Sequence, residues 1–270
     1  MRCMPVSLAT YMHDPHGQML MAIEERMPLL SQMYDDVYVV PTDASDAAVL
    51  EQLGEIGCVV ELQRGGVGPE FIGNARRMAV SMAAEGSRGH IHFSDMDRVL
   101  QWAGSHPEEL SSVIRLIPRH DFLIIGRTQN AVETHPRSQV ETERLANRVC
   151  SLIIGREVDV TAASRGLSPE SAALILRYSR AKGVRTDSEW PVIVHCKSEM
   201  PIGYIEVEGL EYEDWLRHTD EVEKAGGLDI WKRAIDENPA AWLHRINCAH
   251  MIAETAISTY RELSQIIRSA

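Results

Sequence analysis

The chain has 270 residues, of which 44% are hydrophobic and 24% charged, a composition typical of a folded globular protein rather than a disordered or fibrous one. Its formal net charge is −12 and it has no long run of Lys or Arg, so we do not expect it to bind nucleic acid, which requires clustered cations. No window approaches the ~18 consecutive apolar residues of a membrane span, and the N-terminal segment lacks an apolar stretch of signal-peptide length. We therefore expect a cytoplasmic protein without an integral membrane segment.

Apolar patterning divides the first half of the chain into alternating strands and helices. Short runs of apolar, β-branched residues predict buried strands, and apolar residues at helical spacing predict helices. In chain order the predicted elements are a strand at 5–11, a helix at 18–33, a strand at 37–41, a helix at 44–53, a strand at 58–62, a helix at 72–84 and a strand at 89–95. This alternation predicts an α/β fold with a parallel sheet built from βαβ units.

The second half of the chain has a less regular pattern. Its predicted elements are a strand at 122–126, helices at 140–154 and 169–179, strands at 190–195 and 202–207, and a mainly helical chain from 215 that ends in an amphipathic helix at 252–267. Ser168 is expected to cap the helix at 169–179. Because the sequence has no internal repeat and no low-complexity linker, we expect one domain with a C-terminal helical extension.

Polar and glycine residues follow the ends of three predicted strands. Asp43, the glycine-rich loop 65–68, and Asp95 with Asp97 all stand just past a strand. In open parallel sheets, ligands bind beyond the carboxyl ends of the strands. These features therefore predict a binding site along one edge of the sheet.

Asp95 and Asp97 stand two residues apart in HFSDMDRVL, directly after a predicted strand. In an extended stretch, residues i and i+2 point the same way, so both carboxylates are expected to face one pocket. Mn²⁺ or Mg²⁺ prefers a few carboxylates and takes further oxygens from substrate phosphates. Such a cation neutralises charge that develops on a diphosphate leaving group. The alternative is a pair of solvated loop aspartates, because Asp-x-Asp occurs by chance in many proteins.

Residues 6–99 combine three motifs in a fixed order. An acidic residue follows a strand in VVPTDASD, a glycine-containing loop leads into a helix in RGGVGPEFIGNARRMA, and IHFSDMD ends in Asp-x-Asp. In this order and spacing the segment resembles the nucleotide-sugar-binding half of GT-A glycosyltransferases, especially the large inverting group called family 2. The residues that carry the resemblance are Asp43, Arg64, Gly68, Gly73, Arg76, Asp95 and Asp97. It implies a GT-A-type, Rossmann-like, mostly parallel sheet flanked by helices.

The resemblance also implies roles for single residues. Asp43 would contact the base, Arg76 would lie near the diphosphate or ribose, and Asp97 would bind the metal, while Asp95 would meet the ribose or bind the metal through water. The residue types agree, since the planar fork of an arginine suits a phosphate and glycines permit close approach of the backbone to a ligand. The further candidates for donor binding are Arg64, Gly68 and Arg165.

Two segments of the second half are candidates for the acceptor side. DVTAASRGLS (159–168) is a small-residue loop that contains Arg165, and RTDSEWP (185–191) places Asp187 and Glu189 before a predicted strand. In family 2 enzymes a later acidic residue is the general base, so the resemblance implies Glu189 or Asp187. Such a base must reach the acceptor hydroxyl. Alternatively, Glu189 caps the strand or pairs with Arg185, and a retaining mechanism stays open.

Histidines support a rival interpretation. His90 and His92 share one face of a predicted strand, where a His-x-His pair can bind zinc, although a core histidine satisfied by a neighbour is commoner. With Asp95 and Asp97 they define an alternative, a metal-dependent hydrolase; a non-catalytic nucleotide-sugar-binding relative is another. Candidates for a third metal ligand are His195, His244 and His250.

The sequence therefore predicts a GT-A glycosyltransferase domain at 1–210, with a nucleotide-sugar-binding half at 1–100 and an acceptor-side half at 101–210. A helical extension at 211–270 either shapes the acceptor pocket or forms a contact in a homo-oligomer. The predicted reaction moves a sugar from a nucleotide-diphosphate-sugar donor to a hydroxyl of a sugar or other acceptor. It depends on a divalent metal and inverts the anomeric configuration. The sugar, base and acceptor stay open.

Overall fold

The structure of the chain, a computed structural model, describes residues 4–66, 68–87 and 89–268. Within these residues seven strands, β1 to β7 in chain order, span Val6–Met12, Val37–Pro41, Val59–Val60, His90–Phe93, Phe122–Arg127, Ser164–Leu167 and Ile202–Val207. Twelve α-helices, α1 to α12, span Leu20–Met33, Ala47–Glu55, Ile72–Gly86, Met96–Ser105, Pro107–Leu116, Gln129–Glu133, Arg137–Ile154, Pro169–Tyr178, Thr186–Lys197, Thr219–Ala225, Leu228–Glu237 and Pro239–Arg268.

The strands form one sheet in the order β3-β2-β1-β4-β6-β5-β7. β6 runs antiparallel to both of its neighbours, and the other pairs of strands are parallel. The predicted α/β fold, a mostly parallel sheet flanked by helices, is therefore confirmed. The carboxyl ends of the adjacent strands β1 and β4 lie side by side, which positions the residues that follow them at one edge.

A hydrophobic core covers each face of the sheet, because successive side chains of a strand point to opposite faces. On β1, Val6 and Leu8 pack in one core with side chains of α1, α2, α4 and α5, whereas Ala9 packs in the other core with α3, α7, α8, α9 and α12. The long helix α12 lies against α7 and α9, and it contains the predicted helix at 252–267. Among the helices of the described residues, none has the length and apolar character that crossing a bilayer requires.

The run at 190–195 does not form the predicted strand. It lies inside α9, whose residues from Thr186 to Val194 are all buried. Because the helix is buried on every side, its apolar run WPVIV has no helical periodicity and is easily mistaken for a buried strand. This correction matters because α9 begins beside the edge of the sheet that carries Asp95 and Asp97.

The small-residue segment 159–168 is also not wholly a loop, since it contains β6. Arg165 of β6 pairs with Phe93 of β4 on one side and with Ile124 of β5 on the other. The expected cap at Ser168 is confirmed, because its hydroxyl accepts a hydrogen bond from the Ser171 amide at 3.2 Å.

Candidate active site

A cleft opens at the carboxyl ends of β1 and β4 and encloses roughly 880 Å³, including its solvent-open mouth. Its walls come from α3, α7, the start of α9, the turn after β7, and α12. Five of the residues that line it are Arg76, Asp95, Asp97, Asp187 and Arg217. Residues distant in sequence therefore meet where an α/β sheet normally binds its ligand.

Asp95 and Asp97 both line this cleft, as predicted, but the backbone that joins them is not the extended stretch that their spacing predicts. Asp95 is extended and precedes α4, whereas Asp97 lies in the first turn of that helix. The position suits an acid, because the amides of a helix N-terminus favour negative charge, and Asp97 Oδ1 accepts a hydrogen bond from the Arg98 amide at 2.9 Å. Burial raises the pKa of Asp97 to about 6, against the opposing effect of the Arg217 charge.

Arg76 joins two carboxylates of the cleft. Its Nε and Nη2 donate to the two oxygens of Asp95 at 3.1 and 2.5 Å, and its Nη1 donates to Asp187 Oδ1 at 2.5 Å and to the Thr186 hydroxyl at 2.9 Å. The side chain is buried, and both acids raise its pKa despite that burial. Arg76 therefore fixes the end of β4 relative to the start of α9, and its role toward a diphosphate stays a prediction.

Asp187 and Glu189, the two candidate bases, have different positions. Asp187 lines the cleft; burial raises its pKa, and Arg76 and Arg165 oppose that shift. Glu189 is not among the residues that line the cleft. Its carboxylate accepts hydrogen bonds from the amides of Arg180 and Ala181, at 2.7 and 2.9 Å, and from the Ser179 hydroxyl. These contacts anchor the segment after α8, which is the work of a structural residue.

Arg165 lies beneath the cleft rather than on its wall. It is 1% exposed, and its guanidinium donates to the carbonyls of Ser164, Val160 and Asp187. Burial lowers the pKa of Arg165 to about 10, with the Asp187 charge opposing the shift. These contacts hold the backbone of Asp187, so a direct contact between Arg165 and a donor stays a prediction.

A second pocket adjoins the cleft and shares Tyr11, His13, Ile72 and Arg217 with it. The residues that complete its lining are Thr42, Gln63, Gly66, Gly68 and Phe71. It includes the predicted Gly68, whereas Asp43 and Arg64 have exposed side chains and are absent from its lining among the described residues. Val67 lies outside the described residues.

A charged turn between β7 and α10 closes one side of the cleft. Glu213 forms an ion pair with Arg98 at 3.0 Å. Asp214 forms ion pairs with two arginines: Arg217, three residues further on, and Arg245 of α12, which lies at 3.0 Å. Burial raises the pKa of Glu213, but the Arg98 charge and a hydrogen bond from a neighbouring histidine outweigh it, so the pKa is about 2. None of these residues is among the site residues predicted from the sequence. In the sequence they are marked only by the charged residues of EDWLR, and this pattern does not reveal that the chain returns to the cleft.

A second buried network supports the segment that precedes β6. Arg127, at the end of β5, donates to both oxygens of Asp159, at 2.8 and 3.0 Å, and to Glu143 at 2.7 Å. Burial would raise the pKa of Asp159, but the Arg127 charge holds it well below its usual range. Thr161 donates to Glu143 at 3.1 Å, and both residues line the cleft.

The histidines do not assemble a metal centre. His92 is fully buried, with Tyr34 Oη at 2.5 Å from Nδ1 and Ser164 Oγ at 2.9 Å from Nε2, and burial lowers its pKa to about 3. The described residues include no group of three or more His, Cys, Asp or Glu side chains able to hold a metal ion. The suggested third ligands His195, His244 and His250 are not among the described residues that line the cleft.

Comparison with known proteins supports the fold. No protein-family model matches the sequence, and no curated protein matches it. Among solved structures, glucosyl-3-phosphoglycerate synthase from Mycobacterium tuberculosis matches with a TM-score of 0.53 and 13% identity, over 82% of this chain and 78% of that one. The same enzyme in complex with phosphoglyceric acid matches with a TM-score of 0.50 and 12% identity, over 75% of this chain and 70% of that one.

A mycobacterial protein also matches, with a TM-score of 0.50 and 13% identity, over 75% of this chain and 65% of that one. The chain thus spans slightly less than two thirds of that protein. The fold is of the GT-A type, as the sequence predicts. At this identity the likeness concerns the fold, and function has to be argued from the cleft.

Proposed function

We propose that this chain is a divalent-metal-dependent glycosyltransferase that moves a sugar from a nucleotide-diphosphate-sugar donor to an acceptor hydroxyl with inversion. One observation carries the proposal: Arg76 holds Asp95 and Asp187 in a single cleft, beside Asp97, at the carboxyl ends of β1 and β4. On a GT-A-type sheet this cleft has the acids that the reaction requires. The proposed activity rests on these residues of the cleft, because the similarity to solved structures concerns only the fold.

Asp97 and Asp95 would hold the metal. Asp97 Oδ2 faces Arg217 Nε at 2.8 Å, and that nitrogen makes no well-aligned hydrogen bond within the described residues. This carboxylate oxygen is thus free for a cation once Arg217 moves away. Mn²⁺ or Mg²⁺ bound by one or two carboxylates takes its other oxygens from phosphates, so the donor set fits. When bound, such an ion neutralises charge on the departing diphosphate.

The donor base would occupy the adjoining pocket lined by Thr42, Gln63 and Gly68. Gln63 is buried, and its Oε1 has no hydrogen-bond partner within the described residues, so it is suited to accept a hydrogen bond from a ring N–H or amino group of the base. The pocket opens into the cleft through Tyr11 and His13. A nucleotide would then extend from the pocket toward Asp95 and Asp97.

Asp187 is the general base in this proposal. The acceptor oxygen forms a bond to the anomeric carbon while the bond from that carbon to the diphosphate oxygen breaks, and the diphosphate leaves with the electron pair. The acceptor proton passes to the Asp187 carboxylate. Support comes from its place on the cleft wall, in contrast to Glu189, whose oxygens accept three hydrogen bonds from residues 179–181. Arg76 and Arg165 hold Asp187 through its carboxylate and its carbonyl.

The hydrolase alternative finds less support. Both ring nitrogens of His92 already have partners, in Tyr34 and Ser164, so this histidine has no free lone pair for a metal ion. A non-catalytic relative would bind nucleotide without turnover.

Turnover tests the proposal. Nucleoside diphosphate release from UDP-, GDP- and dTDP-sugars is measured with Mn²⁺ and an acceptor mixture, and the anomeric configuration of the product is read by NMR. We expect release with one donor and an inverted product, with kcat reduced at least about 100-fold in Asp187→Asn. A retained configuration, or Asp187→Asn with wild-type kcat, would contradict the role of Asp187, and nucleotide binding without release would indicate the non-catalytic relative.

A further inference from the structure

Gln139, near the start of α7, lines the cleft with an unsatisfied side chain. The residue is 2% exposed, and its Oε1 is buried with no hydrogen-bond partner within the described part of the chain. A buried oxygen without a partner is destabilising, so native proteins rarely keep one that nothing satisfies. This carboxamide is therefore positioned to accept a hydrogen bond from a ligand in the cleft.

The wall around Gln139 is rich in further acceptor oxygens. Glu143 follows on α7, and Asp187 faces the same cleft from α9. Carboxylates and carboxamide oxygens accept hydrogen bonds, and hydroxyl groups can donate them. A molecule with several hydroxyl groups is the complementary ligand.

The arginines of the cleft are committed to acids. Arg98 pairs with Glu213, and Arg217 pairs with Asp97 and Asp214. Arg245, the arginine of α12 on this wall, pairs with Asp214. With Arg76 between Asp95 and Asp187, each described arginine that lines the cleft lies in an ion pair, and no described lysine lines it. An anionic acceptor would have to displace one of these acids and would meet Glu143.

We infer that the α7 wall of the cleft is an acceptor subsite for a neutral polyhydroxylated molecule, a sugar or a polyol, with Gln139 Oε1 accepting a hydrogen bond from one of its hydroxyl groups. The inference rests on the proposed function and specifies its acceptor. It separates this chain from an enzyme whose acceptor is a phosphorylated hydroxy acid. The hydroxyl that reacts is the one nearest Asp187, and Gln139 holds another hydroxyl of the same molecule.

The test begins with wild-type protein, Mn²⁺ and the nucleotide sugar that the turnover assay identifies. Transfer is compared between neutral mono- and disaccharides and polyols on one side and 3-phosphoglycerate and related hydroxy acids on the other. We expect transfer to at least one neutral compound and no transfer to the anions above the rate of donor hydrolysis. Preference for an anion, or no transfer to any of the neutral compounds, would overturn the inference.

Gln139→Met keeps the volume of the side chain but removes the acceptor oxygen. Its KM for the neutral acceptor is expected to rise about tenfold, the equivalent of losing one good hydrogen bond. Gln129→Met, on the exposed surface of α6, is the matched control and should leave KM unchanged. An unchanged KM in Gln139→Met would contradict the role of Gln139.

A nucleotide-binding measurement distinguishes failure of the acceptor inference from failure of the proposed function. Wild type and Gln139→Met should show the same rise in melting temperature with Mn²⁺ and the donor's nucleoside diphosphate, because Gln139 lies outside the base pocket. If nucleotide binds and the acceptor results are negative, the inference alone is wrong. If no nucleotide binds to the wild type, the proposed function fails, and the inference fails with it.

Discussion

Arg217 Nε lies 2.8 Å from Asp97 Oδ2, so a cation on the chain itself occupies the side of the carboxylate that a metal ion would need. Arg217 reaches Asp97 from the turn after β7, and Asp214 anchors it there. The turn that closes the cleft is thus linked to the acid at the start of α4. A metal ion would have to break this pair before it could bind Asp97.

Arg217→Gln should therefore strengthen binding of Mn²⁺ in the absence of nucleotide. A partly exposed ion pair stabilises by up to about 1 kcal/mol, so removing the competitor should lower the Kd for Mn²⁺ about threefold to fivefold. Calorimetric titration with Mn²⁺ alone measures this, and Arg115→Gln, at an exposed position of α5, is the control. A Kd that rises in Arg217→Gln would mean that Arg217 supports the site rather than competing for it.

Glu189→Gln should mainly lower stability, whereas Asp187→Asn should mainly lower kcat. Glu189→Gln places an amide N–H₂ among donors that now share a carboxylate, so the free energy of unfolding should fall by about 1–3 kcal/mol while kcat per folded molecule is kept. Asp187→Asn should mainly reduce kcat. Urea unfolding of each variant, combined with the rate of nucleoside diphosphate release, distinguishes them. A stable but inactive Glu189→Gln would return the role of base to Glu189.

Gly73→Ala should destabilise the protein. A Cβ at Gly73 would lie 2.4 Å from the carbonyl oxygen of Ala181, so the start of α3, which carries Arg76, would have to move away from the segment that Glu189 anchors. We expect a loss of about 1–3 kcal/mol. Gly54→Ala in α2 is the control: its Cβ would meet no atom within 4 Å, and an alanine inside a helix should add about 0.5–1 kcal/mol. Equal unfolding midpoints for the two variants in urea would contradict the close packing of α3.

His92 predicts a pH dependence of stability. Burial lowers its pKa to about 3, whereas the pKa of a histidine in an unfolded chain is about 6.5. Between these values the unfolded chain binds the extra proton, so the free energy of unfolding decreases as the pH falls, by up to about 1.4 kcal/mol per pH unit from this residue.

His92→Gln removes that proton uptake, so its stability should depend less steeply on pH between 6 and 4 than that of the wild type. Urea titrations at several pH values measure the slopes. His16→Gln, at an exposed position, should keep the wild-type slope. Parallel curves for His92→Gln and the wild type would show that His92 titrates normally in the folded protein.

The sequence predicts the first half of the molecule well because its signals are local. The strands before Asp43 and Asp95 are short β-branched runs, and the helix that carries Arg76 has a clear apolar period. The alternation of strands and helices is sufficient to predict the edge of the sheet where ligands bind. The fold class and the neighbourhood of Asp95 and Asp97 follow from these features.

The other wall of the cleft could not be predicted, because it depends on contacts between distant segments. Arg217 and Arg245 reach the site only because the turn after β7 and the helix α12 return to the sheet. Glu189 illustrates a different error: it lies in a buried helix, but the apolar run WPVIV that follows it looks like a strand in the sequence. Periodicity does not reveal such long-range contacts.

The most direct test of the central claim is thermal unfolding with UDP, GDP and dTDP, each with and without Mn²⁺, on the wild type, Asp97→Asn and the exposed control Asp36→Asn. Saturation at 100 times Kd stabilises a fold by about 2.7 kcal/mol. We predict a rise in melting temperature with one nucleotide that requires Mn²⁺, persists in Asp36→Asn and is lost in Asp97→Asn. No rise with any nucleotide, or an equal rise in Asp97→Asn, would contradict a metal-dependent nucleotide-sugar site at Asp97.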